Sequence, residues 1–425
     1  MRSFLVTKTS LSGHIDVPPS KSQTLRAILF GTLGSGRTTI RNHLSSPDME
    51  AMVGACRLFG ARIGFADTQI EIEGLNGTID HTEDVIDANN SGIVLRCCSA
   101  LGALSSRPVV VTGDLSVRHS RPMEPLLHAL RQSGVSATSM RGDGFAPVII
   151  QGPIHSGRVV IDGADSQPVS ALMIAAAFAQ GPIEISVENP GERPWIDLTI
   201  HWLDRMGIRY ERRGYEWFRM FGQSQYAGFQ YDVPGDFSSA AFPIAAALVT
   251  HSALAIGNLD FSDPQGDKEV ISIFQRMGAE LEIDPENKRL HVRQSGPLKG
   301  VEVDINNCID ALPILAVVAC FASTPTRLFN GAVARQKECD RIRYIATELR
   351  KMGAQITEHD DGLLISPSAL YGAPVHTYHD HRLVMALTIA GFGASGVTEV
   401  GPVGCVAKSY PTFDRDFNSI GGSIQ

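Results

Sequence analysis

A helix-like segment closing on a hydrophobic residue, Gly and a small or aliphatic residue recurs along the chain, and such a repeat constrains the fold more than any single motif. Its copies read ACRLFGARI, ALRQSGV, WLDRMGI, IFQRMGAEL and ELRKMGAQI, with Gly60, Gly134, Gly207, Gly278 and Gly353 spaced 74, 73, 71 and 75 residues apart. FNSIGGSIQ at the end reads as a truncated sixth copy. Gly after a last helical turn is a helix stop, because it takes a left-handed backbone without strain. A second motif precedes each of these helices: a polar cluster, an apolar helix rich in small residues, a turn and a β-like run. Its copies begin at SKSQTLRAILFGTL, NNSGIVLRCCSALGAL, DSQPVSALMIAAAFA, GDFSSAAFPIAAALV, CIDALPILAVVACFA and HDHRLVMALTIAGFG. The β-like runs include RTTI, PVVV, PIEI, ALAI and VTEV. Helices apolar around their whole circumference belong inside. Six copies divide into two domains of three, with one crossover before Lys21 and another near Val233, where YDVPGDF mixes Pro, Gly and Asp. For any one copy, the simpler reading of the polar cluster is an N-cap.

At 425 residues the chain exceeds one ordinary core, which also points to two domains. A net charge of −8 argues against nucleic acid or an anionic membrane as the main partner. A phosphorylated small molecule remains compatible, since a few Arg and Lys focused in a cleft bind an anion inside an acidic protein. The seven cysteines form no C-x-x-C pair, and their odd count fits reduced thiols in a cytoplasmic protein. Cys97 and Cys98 read as small core residues. The N-terminus, MRSFLVTKTSLSGHIDVPP, lacks the apolar stretch of a signal peptide. The run from Ala311 to Ala322 falls short of the roughly 18 residues of a membrane helix.

Three clusters exceed what a cap needs. Pro19-Ser20-Lys21-Ser22 with Arg26 puts two cations in the first turns of a buried helix, whose N-terminus already favours anions. The others are Gln336 to Arg341 and His379-Asp380-His381-Arg382. Alone, the K-E-x-D-R string is usually an exposed, ion-paired helix face. H-D-H-R invites a metal, but Arg382 follows directly and its charge opposes one, so no metal is expected. Together, Lys21, Arg121, Arg341, Arg382 and Lys408 suit a ligand with both carboxylate and phosphate. Asp310 and Glu338 add carboxylates able to move protons. The chain has no G-x-x-x-x-G-K-[ST] and no G-x-G-x-x-G after a strand, so no nucleotide or other cofactor is expected.

PSKS with Arg26, NSG followed by Arg96, SRP at 120–122, SQ at 166–167, KExDR at 337–341, DHR at 380–382 and AKSYP at 407–411 stand in family order and spacing. By these motifs the whole chain resembles the 5-enolpyruvylshikimate-3-phosphate synthases of the enolpyruvyl transferase family. The resemblance implies an α/β fold of two domains, each with three βαβαββ units in pseudo-threefold arrangement, an inside-out α/β barrel. It places the first domain, on the shikimate 3-phosphate side, at 20–233, and the second at 1–19 and 234–425, with the active site in the interdomain cleft. It implies transfer of the enolpyruvyl group of phosphoenolpyruvate to shikimate 3-phosphate by a cytoplasmic monomer sensitive to glyphosate.

By the same resemblance, Lys21, Gly92, Arg121, Gln167, Arg341, Arg382 and Lys408 bind phosphoenolpyruvate. Lys21, Ser22, Arg26, Asp165, Ser166, Gln167, Asp310 and Lys337 bind shikimate 3-phosphate. Lys21, Asp310, Glu338 and His381 are the catalytic candidates. Asp165 and Glu192 stand where the family has serine, Trp195 where it has tyrosine, Pro19 where it has glycine and Leu25 where it has asparagine. An acid at 165 or 192 repels a phosphate unless it turns away or pairs with a neighbour such as Arg193. The sister UDP-N-acetylglucosamine enolpyruvyl transferases carry a loop cysteine before their Arg-Pro, and TGDLSVRHSRP has none. A binding scaffold that has lost turnover and an RNA-processing relative are further alternatives; the acidic balance opposes the second.

Overall fold

The computed structural model describes residues 2–66, 68–79, 84–294 and 296–425, which fall into two compact units, 20–233 and 1–19 with 234–425. Each unit is three copies of one βαβαββ pattern. In the copy that starts at Gly157–Asp162, the buried helix Ser166–Phe178 leads to Ile183–Glu188, parallel to the first strand. The helix Arg193–Arg205 then leads to the antiparallel hairpin Tyr210–Arg213 and Trp217–Met220. Among the described residues the mixed sheets so formed are open, five of four strands and one of three.

The ends of the units explain the two crossovers. The copy containing the helix Lys21–Leu33 takes its first strand from Gln230–Asp232, parallel to Ser35–Arg41. The copy containing Phe237–Val249 takes its first strand from Ser12–Asp16, parallel to Ala253–Gly257. The last copy lacks a C-terminal hairpin, and Phe4–Thr7 fills its place, antiparallel to Val397–Gly401. An isolated bridge from Val6 to Ile424 adds the final residues to that edge.

The recurrent glycines do what the repeat requires. Gly60, Gly134, Gly207, Gly278 and Gly353 have φ of 106°, 79°, 64°, 99° and 93°, and Gly421 of the truncated copy has 100°. Each follows a helix whose inner face is apolar and whose outer face is polar. Six further helices run through the two cores, and in Ser166–Phe178 only Gln167 is less than buried.

Five of the six buried helices are capped by a side chain: Ser20, Ser91, Asp165, Asp236 and Asp380 each accept a backbone N–H from the first turn. The sixth, Leu312–Cys320, is entered instead through a 3-10 turn, Asn306–Ala311. Asp310 lies in that turn and its carboxylate is turned to other partners. All seven cysteines are free thiols and six are buried. Burial pushes Cys97 up to about 11, which keeps it an inert core group. No helix among the described residues is long and apolar enough to cross a membrane.

Trp202 is the largest fully buried side chain, stacked on Phe30 at 5.3 Å with its indole N–H donated to Gln23 Oε1 at 2.7 Å. Trp202→Ala is expected to lower the stability of the 20–233 unit by about 3–5 kcal/mol in chemical denaturation. Leu115→Ala, at a side chain 68% exposed, is expected to cost less than about 0.5 kcal/mol.

Candidate active site

In the unit 20–233, the expected residues collect at the N-terminal ends of the buried helices. Lys21, just inside its helix, approaches Asp48 Oδ2 at 3.6 Å, and the same oxygen accepts Ser91 Oγ–H at 3.0 Å. Arg26 is one turn further in and buried. It donates to Thr199 Oγ1 at 3.1 and 3.3 Å and, more weakly, to the carbonyls of Ser22 and Trp195 at 3.4 Å. Burial holds its guanidinium down to about 10, still cationic at neutral pH. A buried cation bonded to neutral oxygens is a good receiver for an anion.

Gly92, Arg121 and Gln167 meet at one point. A Cβ built on Gly92 would lie 2.7 Å from Arg96 Nη1, 3.1 Å from Gln167 Oε1 and 3.6 Å from Arg121 Nη1, so glycine is what lets these polar groups converge. Arg96 is the organiser here, although the sequence places it in a motif without a role. It donates to Gln167 Oε1 at 3.1 Å and Pro122 O at 3.2 Å, and pairs with Asp165 at 2.9 Å.

The two acids that depart from the family pattern are both engaged. Asp165 caps its helix through Gln167 N–H at 3.0 Å and neutralises Arg96. Glu192 is buried in a left-handed conformation, φ 44° and ψ 42°, which costs a non-glycine residue about 1–3 kcal/mol. Its Oε2 accepts both the N–H and the Oγ–H of Ser166, each at 3.0 Å. The carboxylate thus occupies the anion position that the Ser166 helix offers at its N-terminus. Arg193, expected as a neighbouring partner, lies instead over the Tyr215 ring at 5.4 Å. The pairing is made by Arg96 and Ser166, which no local spacing in the sequence indicates.

In the unit 1–19 with 234–425, the cluster is an ion-pair network around Arg341, 1% exposed. Its Nε donates to Asp380 Oδ2 at 2.7 Å, its Nη1 to Asp310 Oδ1 at 2.6 Å and its Nη2 to Glu338 Oε2 at 2.5 Å. The other oxygen of Asp310 accepts from Arg382 at 2.6 Å, and that of Glu338 from Lys408 at 2.7 Å. Burial alone raises the Asp310 carboxyl, but Arg382 and Arg341, with Lys337 behind them, outweigh it and hold the group well below the usual carboxylate range. Burial likewise lowers Arg341, and the surrounding carboxylates reverse it, so this guanidinium stays charged.

The K-E-x-D-R string is therefore no exposed helix face: Lys337, Cys339 and Arg341 are buried, and Glu338 and Asp340 are partly so. His381 is buried beside Asp380, 3.9 Å from Nδ1 to Oδ1. Asp380 itself, absent from the expected set, caps its helix through Arg382 N–H at 2.8 Å and binds Arg341 with its second oxygen. Its engagement by arginine leaves the H-D-H-R string as a charge network. Each unit thus presents buried cations whose partners are the protein's own carboxylates or neutral oxygens.

Comparisons with known proteins identify the family. The family model described as EPSP synthase (3-phosphoshikimate 1-carboxyvinyltransferase) matches residues 6–417. The 3-phosphoshikimate 1-carboxyvinyltransferase of Chlamydia caviae is 42% identical over 427 residues, covering 100% of this chain and 95% of that protein. Its counterpart from Acetivibrio thermocellus is 40% identical, covering 99% and 98%. A solved EPSP synthase from Acinetobacter baumannii superposes with a TM-score of 0.82 at 28% identity, covering 100% of this chain and 98% of that one. With whole-length matches of this kind behind the two buried cation clusters, the chain belongs to the EPSP synthase family.

Proposed function

We propose that this chain transfers the enolpyruvyl group of phosphoenolpyruvate to the 5-hydroxyl of shikimate 3-phosphate and releases inorganic phosphate. The observation that carries the reading is the Asp310 carboxylate held between the Arg341 and Arg382 guanidiniums, with Glu338 and Lys408 on the same network. It supplies proton acceptors beside groups that bind phosphate and carboxylate. In this reading Lys21, Arg121, Arg341, Arg382 and Lys408 neutralise phosphoenolpyruvate, with Gly92 and Gln167 lining its place. Ser22, Arg26, Asp165, Ser166, Gln167 and Lys337 receive shikimate 3-phosphate.

Asp310 takes the proton of the 5-hydroxyl as its oxygen adds to C2 of phosphoenolpyruvate. Glu338 and Lys21 deliver a proton to the methylene carbon, giving a tetrahedral ketal phosphate with a methyl group. Loss of a methyl proton to the same groups then restores the double bond as the C–O bond to phosphate breaks, and His381 assists that departure. Preorganised cations stabilise the charge that grows on the leaving phosphate. Holding two anionic substrates together removes a large part of the entropic and electrostatic barrier. The reading makes the protein a cytoplasmic monomer acting on small molecules.

The test is release of inorganic phosphate from purified protein with phosphoenolpyruvate and either shikimate 3-phosphate, unphosphorylated shikimate or UDP-N-acetylglucosamine. Release with shikimate 3-phosphate alone is expected. Asp310→Asn is expected to lower kcat by about 10²–10⁴. Its affinity for phosphoenolpyruvate should be equal or higher in calorimetry, since two guanidiniums lose an internal competitor.

A second reading, a binding scaffold without turnover, is favoured by one feature, the Glu192 carboxylate on the Ser166 N–H and Oγ–H. Binding of phosphoenolpyruvate with no phosphate released from any acceptor would select it. If Glu192 instead yields its place to the phosphate of the acceptor, Glu192→Gln should lower KM for shikimate 3-phosphate about three- to tenfold. Its KM for phosphoenolpyruvate should not change. An unchanged or higher KM for the acceptor would show that the phosphate is held elsewhere.

A further inference from the structure

One buried acid lies beside Asp310 with no part in the proton transfers above. Asp267, 1% exposed, sits in the 3-10 turn Gly266–Lys268, which packs on the helix Phe237–Val249 and on the Asn306–Ala311 turn that presents Asp310. Ser238 Oγ–H donates to its Oδ2, while its Oδ1 is buried without a hydrogen-bond partner among the described residues. The charged and titratable groups facing it are Asp310, Arg382 and Asp236; Cys308 and Glu269 lie on the adjoining turn and helix. An unbonded carboxylate oxygen in a core is costly, so its presence calls for a cause.

Asp310 alone is a weak base, because Arg382 and Arg341 overcome its burial and hold its proton affinity far below the working range. Asp267 is displaced the other way: burial first, then the negative charge of Asp310, raise it to about 7. Two neighbouring carboxyls pushed apart in this manner divide acid and base roles between them. Their coupling is reciprocal, so a charge on Asp267 strengthens Asp310 as a proton acceptor by the factor that Asp310 strengthens Asp267.

We propose that Asp267 is a positioning residue for proton transfer at Asp310: as a carboxylate it draws on Arg382 and makes Asp310 a stronger base, and as a neutral acid it releases Arg382 and weakens that base. It touches no reacting atom. The hydroxyl proton still passes to Asp310 and leaves with phosphate, and no other reactant enters. The role rests on the transfer reaction proposed above.

The experiment follows kcat between about pH 5 and pH 9 for the wild type, Asp267→Asn and Ser238→Ala, together with thermal melting at both ends of the range. Wild-type kcat is expected to rise with a midpoint near 7. Asp267→Asn should lose that rise and fall about tenfold at alkaline pH, with KM for phosphoenolpyruvate unchanged. Ser238→Ala removes a hydrogen bond that favours the carboxylate, so its midpoint should move upward at an undiminished maximal rate. A midpoint unmoved in both variants overturns the proposal.

Melting reads the same group without turnover. A carboxyl raised above its unfolded value near about 4 removes stability as pH climbs from there to its folded value. Asp267→Asn should therefore melt with the wild type at acid pH and several degrees above it at alkaline pH. Equal melting throughout overturns the buried acid itself. Expected melting in a wild type that releases no phosphate from any acceptor overturns the reaction, and with it the positioning role.

Discussion

A guanidinium removed from water and shared among three carboxylates is the constraint on which the Arg341 cluster depends. Arg341 opens the helix Arg341–Lys351, where the helix dipole disfavours a cation. Asp310, Glu338 and Asp380 offset that penalty and satisfy its Nε and both Nη atoms. Removing one partner of such a buried pair costs about 3–5 kcal/mol, because the other charge is left in a low-dielectric interior. The network therefore fixes the 3-10 turn before the fifth buried helix, the cap of the sixth and the Lys408 turn relative to one another. The same bonds that hold the chain also hold the Asp310 and Glu338 carboxylates within reach of Arg382 and Lys408. Stability and chemistry share atoms here.

Much of the architecture was legible because it rests on local rules. The recurring Gly has a steric cause, and all six copies adopt positive φ. The apolar helices are apolar all round, and they are the buried ones. The cap reading and the functional reading of the polar clusters turn out to be compatible. Asp380 caps its helix with one oxygen and binds Arg341 with the other, and Ser91 caps one helix while donating to Asp48. Where a cap is missing, at the helix Leu312–Cys320, the acid is turned wholly to cations.

What the sequence did not disclose is partner choice over distance. Glu192 bonds Ser166, 26 residues away, and Arg96 takes Asp165 as its counter-ion, while the adjacent Arg193 packs over an aromatic ring. The Arg96–Asp165 pair joins successive copies of the repeat, the Glu192–Ser166 pair closes within one copy, and no periodicity encodes either. The acids at 165 and 192 looked like obstacles to a phosphate; in place, one neutralises an arginine and the other fills a helix N-terminus with the protein's own anion. Asp267 escaped notice for the same reason, since its neighbours Ser238, Asp310 and Arg382 come from three separate copies.

The most direct measurement is mass spectrometry of the product formed from phosphoenolpyruvate and shikimate 3-phosphate in deuterium oxide. Addition and elimination through a methyl-bearing ketal predicts an acceptor heavier by one enolpyruvyl group, with solvent deuterium in its vinyl hydrogens. Phosphate released with no gain of mass by the acceptor, or a product free of deuterium, would contradict protonation of the methylene carbon at the site built on Arg341, Asp310 and Glu338.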